Sequence, residues 1–422
     1  MKFVLAAYGT RGDVEPSVVV GRELLRRGHD VRMAVPPNLI DFAEAAGPEA
    51  VAYGLDSRPT MDAALNYFTC CFRTPWRIRE ISRRARESGE FGAQCWPEMT
   101  ATLTSLAAGA DVLITGLLFE QPALNVAEYH DIPLATLHYF PVRPHGRLLS
   151  FVPAALSRAA MAANDWMVWR GMKDVEDTQR RELGLPPATK PAPRRVAERE
   201  TLEIQAYDHA CFPELATEWA KWDGQRPYVG TLTLELATDA DEEVVSWIAA
   251  GTPPIFFGFG SVPVDSPADM IAMIGAACAQ LGERALVCAG WTDFSDVPQF
   301  DHVKVVNAVN YAAIFPTCRA VVHHGGAGTV ATSLRAGVPM LILWTLHHQL
   351  FMGAMAKRLK VGTARRLWAV TEKSLVADLR IILAPQYRTR AREVATWMTK
   401  PAESAAAAAD LVENYARRGR AG

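Results

Sequence analysis

Several features that would assign this chain to a special class of protein are missing from its sequence. Its seven cysteines are scattered and include no Cys-x-x-Cys pair: Cys70, Cys71, Cys95, Cys211, Cys278, Cys288 and Cys318. An odd, dispersed set indicates reduced thiols, which excludes a disulfide framework and a zinc site. The formal net charge is −2, so the basic excess typical of a nucleic-acid-binding protein is absent.

Long apolar runs are also missing. The apolar residues 3–8 are interrupted by Arg11 and Asp13, so the segment is too short and wrongly flanked for a signal peptide. Residues 338–344 form one of the longest apolar runs, far below the roughly 18 residues that a membrane-spanning helix needs. We therefore expect a cytoplasmic protein, and a monomer or weak dimer.

Two successive sets of strand and helix patterns are present. A chain of 422 residues is too long for one core, so we expect two domains. Apolar strands are predicted at 2–8, 31–35, 112–115 and 134–139, and again at 255–260, 285–289, 303–306, 320–323 and 340–343. Helices between them, beginning near Pro16 in the first set, imply parallel sheets. The predicted class is α/β, with domains at 1–221 and 222–400 and a helix at 401–422.

The most informative stretch runs from the strand at 320–322 to Pro339. Its turn has the sequence His323-His324-Gly325-Gly326-Ala327-Gly328-Thr329, and a helix follows. Such a turn directs free backbone N–H groups and the positive end of a helix dipole to one place, which suits a phosphate or diphosphate. The spacing matches neither Gly-x-Gly-x-x-Gly nor a Walker loop. A turn that only packs a helix on a sheet is the alternative.

A second turn, Gly9-Thr10-Arg11-Gly12-Asp13, ends the first strand. Ligands of doubly wound sheets bind at the carboxyl ends of the strands. Asp13 is therefore placed to accept a proton from a hydroxyl group. From spacing alone, Asp13 is equally interpreted as part of a helix cap or as a partner of Arg11.

Two motifs together resemble one family. The order His-His-Gly-Gly-Ala-Gly-Thr, followed by Ala336-Gly337-Val338-Pro339, resembles the donor signature of family 1 glycosyltransferases with the GT-B fold. The opening Gly-Thr-Arg-Gly-Asp-Val-Glu-Pro is similar to that of the glycopeptide-antibiotic and glycopeptidolipid glycosyltransferases. The resemblance implies two Rossmann-like doubly wound domains facing a central cleft. The N-terminal domain would bind the acceptor, the C-terminal domain the nucleotide sugar, and the last helix would cross back to the first domain.

The resemblance also implies roles for single residues. Asp13 would be the catalytic base of an inverting transfer, with a nucleotide-diphosphate sugar as co-substrate, no other cofactor and no metal. The implied donor-binding residues are Thr10, Arg11, Gly12, Ser261, Trp291, Val309, His324, Gly325, Gly326, Ala327, Gly328, Thr329, His348 and Gln349. The segment Asp239-Ala240-Asp241 is interpreted as the start of a helix and not as a metal site.

The acceptor side is less well marked. His138, Tyr139 and Phe140 end a predicted strand and would face the cleft beside Asp13, where His138 and Phe140 are predicted to bind a hydrophobic acceptor. Core packing is the equal alternative for them.

Two departures from the family pattern concern the donor. His348 occupies the place of an acid that binds sugar hydroxyls, which favours a deoxysugar such as rhamnose. Thr332 stands where enzymes that use uridine donors often have a glutamate, which favours thymidine.

Two segments suggest contacts outside the cleft. Residues 73–86 hold six arginines interleaved with Trp76, Ile78 and Ile81, and this pattern fits a solvated helix face or contact with an acidic lipid surface. Residues 152–172, with Trp166, Met167 and Trp169, fit an acceptor-side helix or ordinary core packing. Peripheral contact with the inner face of a membrane is therefore one expectation.

Taken together, these patterns predict transfer of a hexose or deoxyhexose from a dTDP- or UDP-sugar to a hydroxyl of a lipopeptide, glycolipid or similar hydrophobic natural product. The alternatives are a nucleotide-sugar epimerase of similar fold and a non-catalytic protein that binds nucleotide sugars or lipids.

Overall fold

The computed structural model describes residues 1–146, 152–222, 224–262, 264 and 266–419. The chain forms two compact units, Met1–Thr233 with Thr399–Gly422, and Leu234–Met398. The first boundary between the units follows residue 233, later than the predicted 221/222, and the second follows residue 398, close to the predicted 400/401. The first boundary is later because residues 225–229 hydrogen-bond along the last strand of the first sheet, for example from Gln205 N–H to Pro227 C=O at 2.8 Å.

The first unit contains a parallel sheet of six strands in the order β3-β2-β1-β4-β5-β6. The strands are β1 (Lys2–Ala6), β2 (Asp30–Val35), β3 (Glu49–Ala52), β4 (Val112–Thr115), β5 (Leu134–His138) and β6 (Leu202–Gln205). Helices alternate with them: α1 (Arg11–Arg26), α2 (Ile40–Glu44), α3 (Ser57–Arg73), α4 (Ile78–Leu106), α5 (Glu120–His130), α6 (Ala154–Glu182), α7 (Ala192–Glu198) and α8 (Pro213–Glu218).

The second unit repeats this plan with the order β12-β11-β10-β7-β8-β9. Its strands are β7 (Ile255–Gly258), β8 (Ala285–Cys288), β9 (Val303–Val306), β10 (Ala320–His323), β11 (Met340–Trp344) and β12 (Gly362–Arg366). Its helices are α9 (Asp241–Ala249), α10 (Pro267–Leu281), α11 (Tyr311–Ile314), α12 (Ala327–Arg335), α13 (His347–Arg358), α14 (Glu372–Ile382) and α15 (Pro385–Ala395).

Both faces of the second sheet are covered by helices. Ile255 and Phe257 of β7 belong to one buried apolar cluster, whereas Phe256 between them belongs to another on the opposite face. A parallel sheet buried on both sides needs such continuously apolar strands, which is why these strands were visible in the sequence.

The last helix, α16 (Pro401–Gly419), belongs to the first unit. It packs on α1, where Glu413 pairs with Arg27 at 3.1 Å and contacts His29 Nε2 at 3.0 Å. The helical pattern over 388–417 is therefore divided between α15 and α16. None of the helices in the described ranges is both long enough and apolar enough to cross a membrane.

The predicted strands are confirmed as elements, with ends shifted by a few residues. Three strands were not predicted: β3, β6 and β12. Each is short or polar, as in the sequence Gly-Thr-Ala-Arg-Arg of β12, and β3 and β12 are edge strands. Because an edge strand is covered less than a central one, an apolar run is not required of it.

Candidate functional site

The two sheets have the same topology, with strand order reversing between β1 and β4 in the first unit and between β7 and β10 in the second. In doubly wound sheets, the carboxyl ends of the strands at such a switch point border the ligand crevice. The turn after β1 carries Asp13, and the turns after β7 and β10 carry Gly260 and His324. Each unit thus places one predicted motif at its own switch point.

Asp13 is part of the helix start in the first unit. Helix α1 begins at Arg11, earlier than the predicted start near Pro16, and Thr10 is its N-terminal cap. The Oδ2 atom of Asp13 accepts hydrogen bonds from Thr10 N–H at 2.6 Å and Thr10 Oγ1 at 2.7 Å. This capping box satisfies the Thr10 amide. Arg11 pairs with Glu15 at 3.4 Å and not with Asp13.

The second oxygen of Asp13 contacts Tyr139. The Tyr139 hydroxyl donates a short hydrogen bond to Asp13 Oδ1. Burial raises the pKa of Asp13 above its usual range, and the hydrogen bonds from Tyr139 and Thr10 oppose that rise. Burial also raises the pKa of Tyr139, so this hydroxyl keeps its proton. The carboxylate is therefore held in place, poorly hydrated and more basic than a surface aspartate.

The neighbours of Tyr139 have different surroundings. His138 is fully buried, and its Nε2 lies 3.9 Å from Glu120. Burial lowers the pKa of His138, so the ring is neutral. Phe140 is also buried, and its ring contacts that of Tyr139 edge to face at 5.4 Å. In the first unit, the His138 side chain lies in the interior, as the core alternative expected. Tyr139 is the member of the trio that contacts Asp13.

Buried charges hold the segment that follows β5. Arg143 Nη1 donates to Glu120 at 3.0 Å, and its Nε donates a short hydrogen bond to Glu203. Arg226 donates to the other oxygen of Glu203 at 2.9 Å. Burial disfavours the ionised carboxyl of Glu120, but the charge and hydrogen bonds of Arg143 together with His138 outweigh it and lower the pKa to about 2. Sequence reasoning missed this network because its members are far apart in the chain.

The second unit presents a helix N-terminus at its switch point. Helix α12 begins at Ala327 after Gly326, and its first hydrogen bond runs from Val330 N–H to Gly326 C=O at 2.9 Å. The N–H groups of residues 327–329 therefore have no acceptor within the helix. Together with the helix dipole, three free donors make a place for an anion. This is the arrangement predicted from the glycine turn.

His324 lies between two glycines. A Cβ atom on Gly260 would lie 2.6 Å from His324 Cε1, and one on Gly326 would lie 2.6 Å from Nε2. Gly260 also has φ +59°, which a side chain disfavours. Burial lowers the pKa of His324 to about 4, so the ring is neutral at pH 7. Its Nδ1 is buried and has no partner at hydrogen-bond geometry within the described ranges, although an interaction with the Gly258 backbone opposes the fall in pKa. A neutral imidazole offers one donor and one acceptor nitrogen.

His323, which precedes His324 in the sequence, has a structural role. His323 Nδ1 accepts the Gly325 N–H at 3.0 Å, and burial lowers the pKa of His323 to about 3. The Trp291 N–H donates to Gly260 C=O at 2.9 Å, which connects the turns after β7 and β8. Ser261 and Thr329 are partly buried beside these turns.

Three other residues that were predicted to bind the donor lie in different surroundings. Gln349 is buried, and its Oε1 accepts hydrogen bonds from Thr345 N–H at 2.7 Å and Leu346 N–H at 2.9 Å, so this oxygen caps α13. The Val309 side chain packs in a core cluster, which leaves its backbone for recognition. His348 is the second residue of α13.

The predicted Asp-x-Asp helix start is confirmed. Asp241 begins α9, and its carboxylate accepts hydrogen bonds from Thr238 N–H and Asn310 N–H, each at 2.8 Å. These bonds explain why Asp241 stands at this place.

Two Rossmann-like units, each with a candidate group at its switch point, are the architecture of GT-B glycosyltransferases. Comparison with known proteins agrees. Residues 3–102 match the glycosyltransferase family 28 N-terminal domain, and residues 285–413 match the erythromycin biosynthesis protein CIII-like C-terminal domain.

The chain is 58% identical over 423 residues to an uncharacterized glycosyltransferase of Mycobacterium tuberculosis, which covers all of both chains. It is 28% identical over 438 residues to the sterol 3-beta-glucosyltransferase UGT80B1 of Arabidopsis thaliana, covering 98% of this chain and 68% of that protein. The fold of glycosyltransferase VinC, solved with dTDP, is similar at a TM-score of 0.65 and 18% identity, with 100% of each chain covered. The protein belongs to the family 1 glycosyltransferases of GT-B fold.

Proposed function

We propose that this glycosyltransferase inverts configuration and moves a hexose, preferably a deoxyhexose, from a thymidine or uridine diphosphate donor to a hydroxyl of a hydrophobic acceptor, without a metal. The observation that carries the proposal is the N-terminus of α12, where free backbone donors and the neutral, partly buried ring of His324 lie at one switch point. A diphosphate leaving group needs fixed donors of this kind.

In the proposed reaction, the second unit stabilises the leaving group. The bond between the anomeric carbon and the diphosphate oxygen breaks, and the diphosphate leaves with the bonding electrons. N–H groups of residues 327–329 and the His324 ring donate hydrogen bonds to its oxygens. Because these donors are already in position, they need no reorganisation as charge develops.

The first unit supplies the base. Asp13 takes the proton of the acceptor hydroxyl as its oxygen forms the new bond to the anomeric carbon from the opposite face. A carboxylate with a raised pKa is a stronger base than a surface aspartate, and it acts in its ionised form. Burial supplies this increase in Asp13.

The finer substrate assignment depends on sequence differences and on relatives. His348 replaces an acid, which favours a sugar with fewer hydroxyls, and Thr332 favours thymidine over uridine. VinC, of similar fold, was solved with dTDP. The sterol glucosyltransferase relative acts on an apolar alcohol, which supports a lipopeptide, glycolipid or related acceptor, as in the glycopeptide-antibiotic and glycopeptidolipid enzymes.

Thermal unfolding with nucleoside diphosphates tests the donor site. A ligand that binds the native state raises the midpoint as its concentration rises, by about 2.7 kcal/mol of stability at 100 times Kd. We expect dTDP or UDP to raise it, ADP and GDP to have little effect, and His324→Ala to lose the response. His302→Ala is the matched control, because His302 lies in the same unit and its Nε2 donates a hydrogen bond to Gly275 C=O of α10 at 2.9 Å.

The result separates the alternatives. No response to either pyrimidine diphosphate, or an equal loss in His302→Ala, would contradict the donor site. Binding of a nucleotide sugar without transfer to any member of a sterol, glycolipid and lipopeptide panel would favour a nucleotide-sugar-binding protein.

A further inference from the structure

A helical hairpin in the first unit projects beyond the sheet. Its helices α3 and α4 are joined by residues 74–77. At the base, the Tyr8 hydroxyl lies 3.2 Å from Thr60 Oγ1 and 3.3 Å from Cys95 Sγ. From Cys95 back to Ile78, the helical rise places the turn roughly 25 Å away. We use the name hairpin tip for residues 73–86.

The hairpin tip is poorly covered by the rest of the protein. All buried residues of α4 lie at Gly92 or beyond, so its first four turns have none. Trp76 is 73% exposed and Ile78 is 70% exposed. Two large apolar side chains exposed two positions apart at the end of a helical hairpin indicate a surface that is covered by something else.

The charge of the hairpin tip indicates the sign of that partner. It contains six arginines and one acid, Glu80, for a net charge of +5; since the whole chain carries −2, the remaining residues sum to −7. Arg77 pairs with Glu80 at 3.2 Å, and Arg83 pairs with Glu87 just outside the tip at 2.7 Å. Three other arginines have no ion-pair partner in the ranges that the structure describes: Arg73, Arg79 and Arg86.

We infer that the hairpin tip docks the protein on an anionic lipid bilayer. Arginines would contact lipid phosphates, and Trp76 would lie at the headgroup level, where tryptophan is favoured. Ile78 distinguishes this partner from a nucleic acid, because an exposed aliphatic side chain inserts among acyl chains but gives no stacking with bases. This inference does not depend on the proposed donor or acceptor.

Sedimentation with lipid vesicles tests it without any sugar substrate. Full-length protein is mixed with phosphatidylcholine vesicles, or with vesicles containing about one third phosphatidylglycerol, at low and high salt. We expect binding to the anionic vesicles alone, and weaker binding at high salt, because salt screens exposed charges. Each arginine near such a surface contributes roughly a fivefold change in partition.

Two variants examine the two parts of the surface. Replacement of the three unpaired arginines by glutamine is expected to lower partition by about 100-fold. Trp76→Ser with Ile78→Ser is expected to lower it by about tenfold with the charge intact. All five side chains are exposed, so folding is retained, and circular dichroism confirms it.

A charge-matched control removes three exposed arginines elsewhere: Arg22→Gln, Arg181→Gln and Arg380→Gln. It is expected to bind like the wild type. Failure of the wild type to bind anionic vesicles at low salt, or an equal loss in the control, would overturn the inference. The inference would also be overturned if the arginine variant lost binding while the Trp76 and Ile78 variant bound like the wild type. The partner would then be a polyanion without an apolar phase.

Discussion

At the scale of single residues, the most informative side chain is Asp13. Its carboxylate has two tasks, since Oδ2 completes the cap of α1 while Oδ1 contacts Tyr139. The helix-cap interpretation and the catalytic interpretation are thus compatible. A base that is also a cap is held rigidly, because moving it would leave the Thr10 amide without an acceptor.

The first prediction concerns the base itself. Asp13→Asn retains the shape and can still accept the Thr10 hydrogen bonds through its carbonyl oxygen, but it cannot take a proton. We expect transfer to fall by about 10² to 10⁴-fold, measured as nucleoside diphosphate released with the best acceptor of the panel. The dTDP-induced thermal shift should be unchanged. Activity close to wild type would show that another group is the base.

The second prediction concerns Tyr139. Its hydrogen bond favours the charged form of Asp13 and lowers the pKa of that carboxyl, so Tyr139→Phe raises the pKa further. Because the base must be ionised to act, the acid limb of the kcat/KM profile is expected to move to higher pH. At fixed acid pH the variant should be several-fold slower. A profile that coincides with the wild type would show that Tyr139 has no influence on the base.

At the scale of elements, a buried ionic network determines where the segment after β5 lies. Arg143 satisfies two buried carboxylates, Glu120 and Glu203, which come from α5 and β6. Because Arg143 lies in the segment that follows β5, these pairs tie residues 139–143 to both elements.

The third prediction removes this arginine. Arg143→Met leaves Glu120 buried without its arginine, while Glu203 keeps Arg226 as a partner. The change should cost about 3–5 kcal/mol of unfolding free energy at pH 7, measured by urea denaturation. The stability from the lowered pKa of Glu120 is present above the ordinary carboxyl pKa and is lost as pH falls toward about 2. The difference in unfolding free energy between the variant and the wild type should therefore become smaller as pH falls, because the carboxyls that lost Arg143 also take up protons.

Arg22→Met is the control for that measurement, because Arg22 is exposed and its loss should change stability by less than about 0.5 kcal/mol. If the loss of unfolding free energy in Arg143→Met became larger as the pH falls, Arg143 would not be the partner that stabilises the ionised carboxylates.

At the scale of the whole molecule, the end of the chain completes the first unit. Helix α16 buries Ala408, Ala409 and Val412 and contributes Glu413 to Arg27 of α1. Residues from both ends of the sequence thus form the first unit, and the residues between them in the sequence form the second.

The fourth prediction follows from this topology. Deleting residues 399–422 exposes the face of α1 that α16 covers. We expect the first unit to unfold at a lower temperature, with a loss of several kcal/mol, followed by calorimetry as a separate early transition. The second unit should keep its own transition and its response to dTDP. A single transition at the wild-type temperature would show that α16 contributes little.

The candidate site was predictable to different extents in its two halves. The α12 turn is contiguous in sequence, so its glycines, its histidines and the helix that follows could be interpreted together. The contact between Tyr139 and Asp13 joins residues 126 positions apart, and no local pattern specifies which of three successive side chains makes it. The motif predicted that Gln349 binds the donor, and in the structure its side-chain oxygen caps α13.

The sequence by itself determined the central strands, the two-unit plan and the glycine turn before α12, because apolar runs and glycine turns are properties of neighbouring residues. Only the tertiary structure decided that His138 lies inside and Tyr139 reaches Asp13, and that Arg143 joins two distant carboxylates. Burial raises the basicity of Asp13, and burial is a property of the packed molecule.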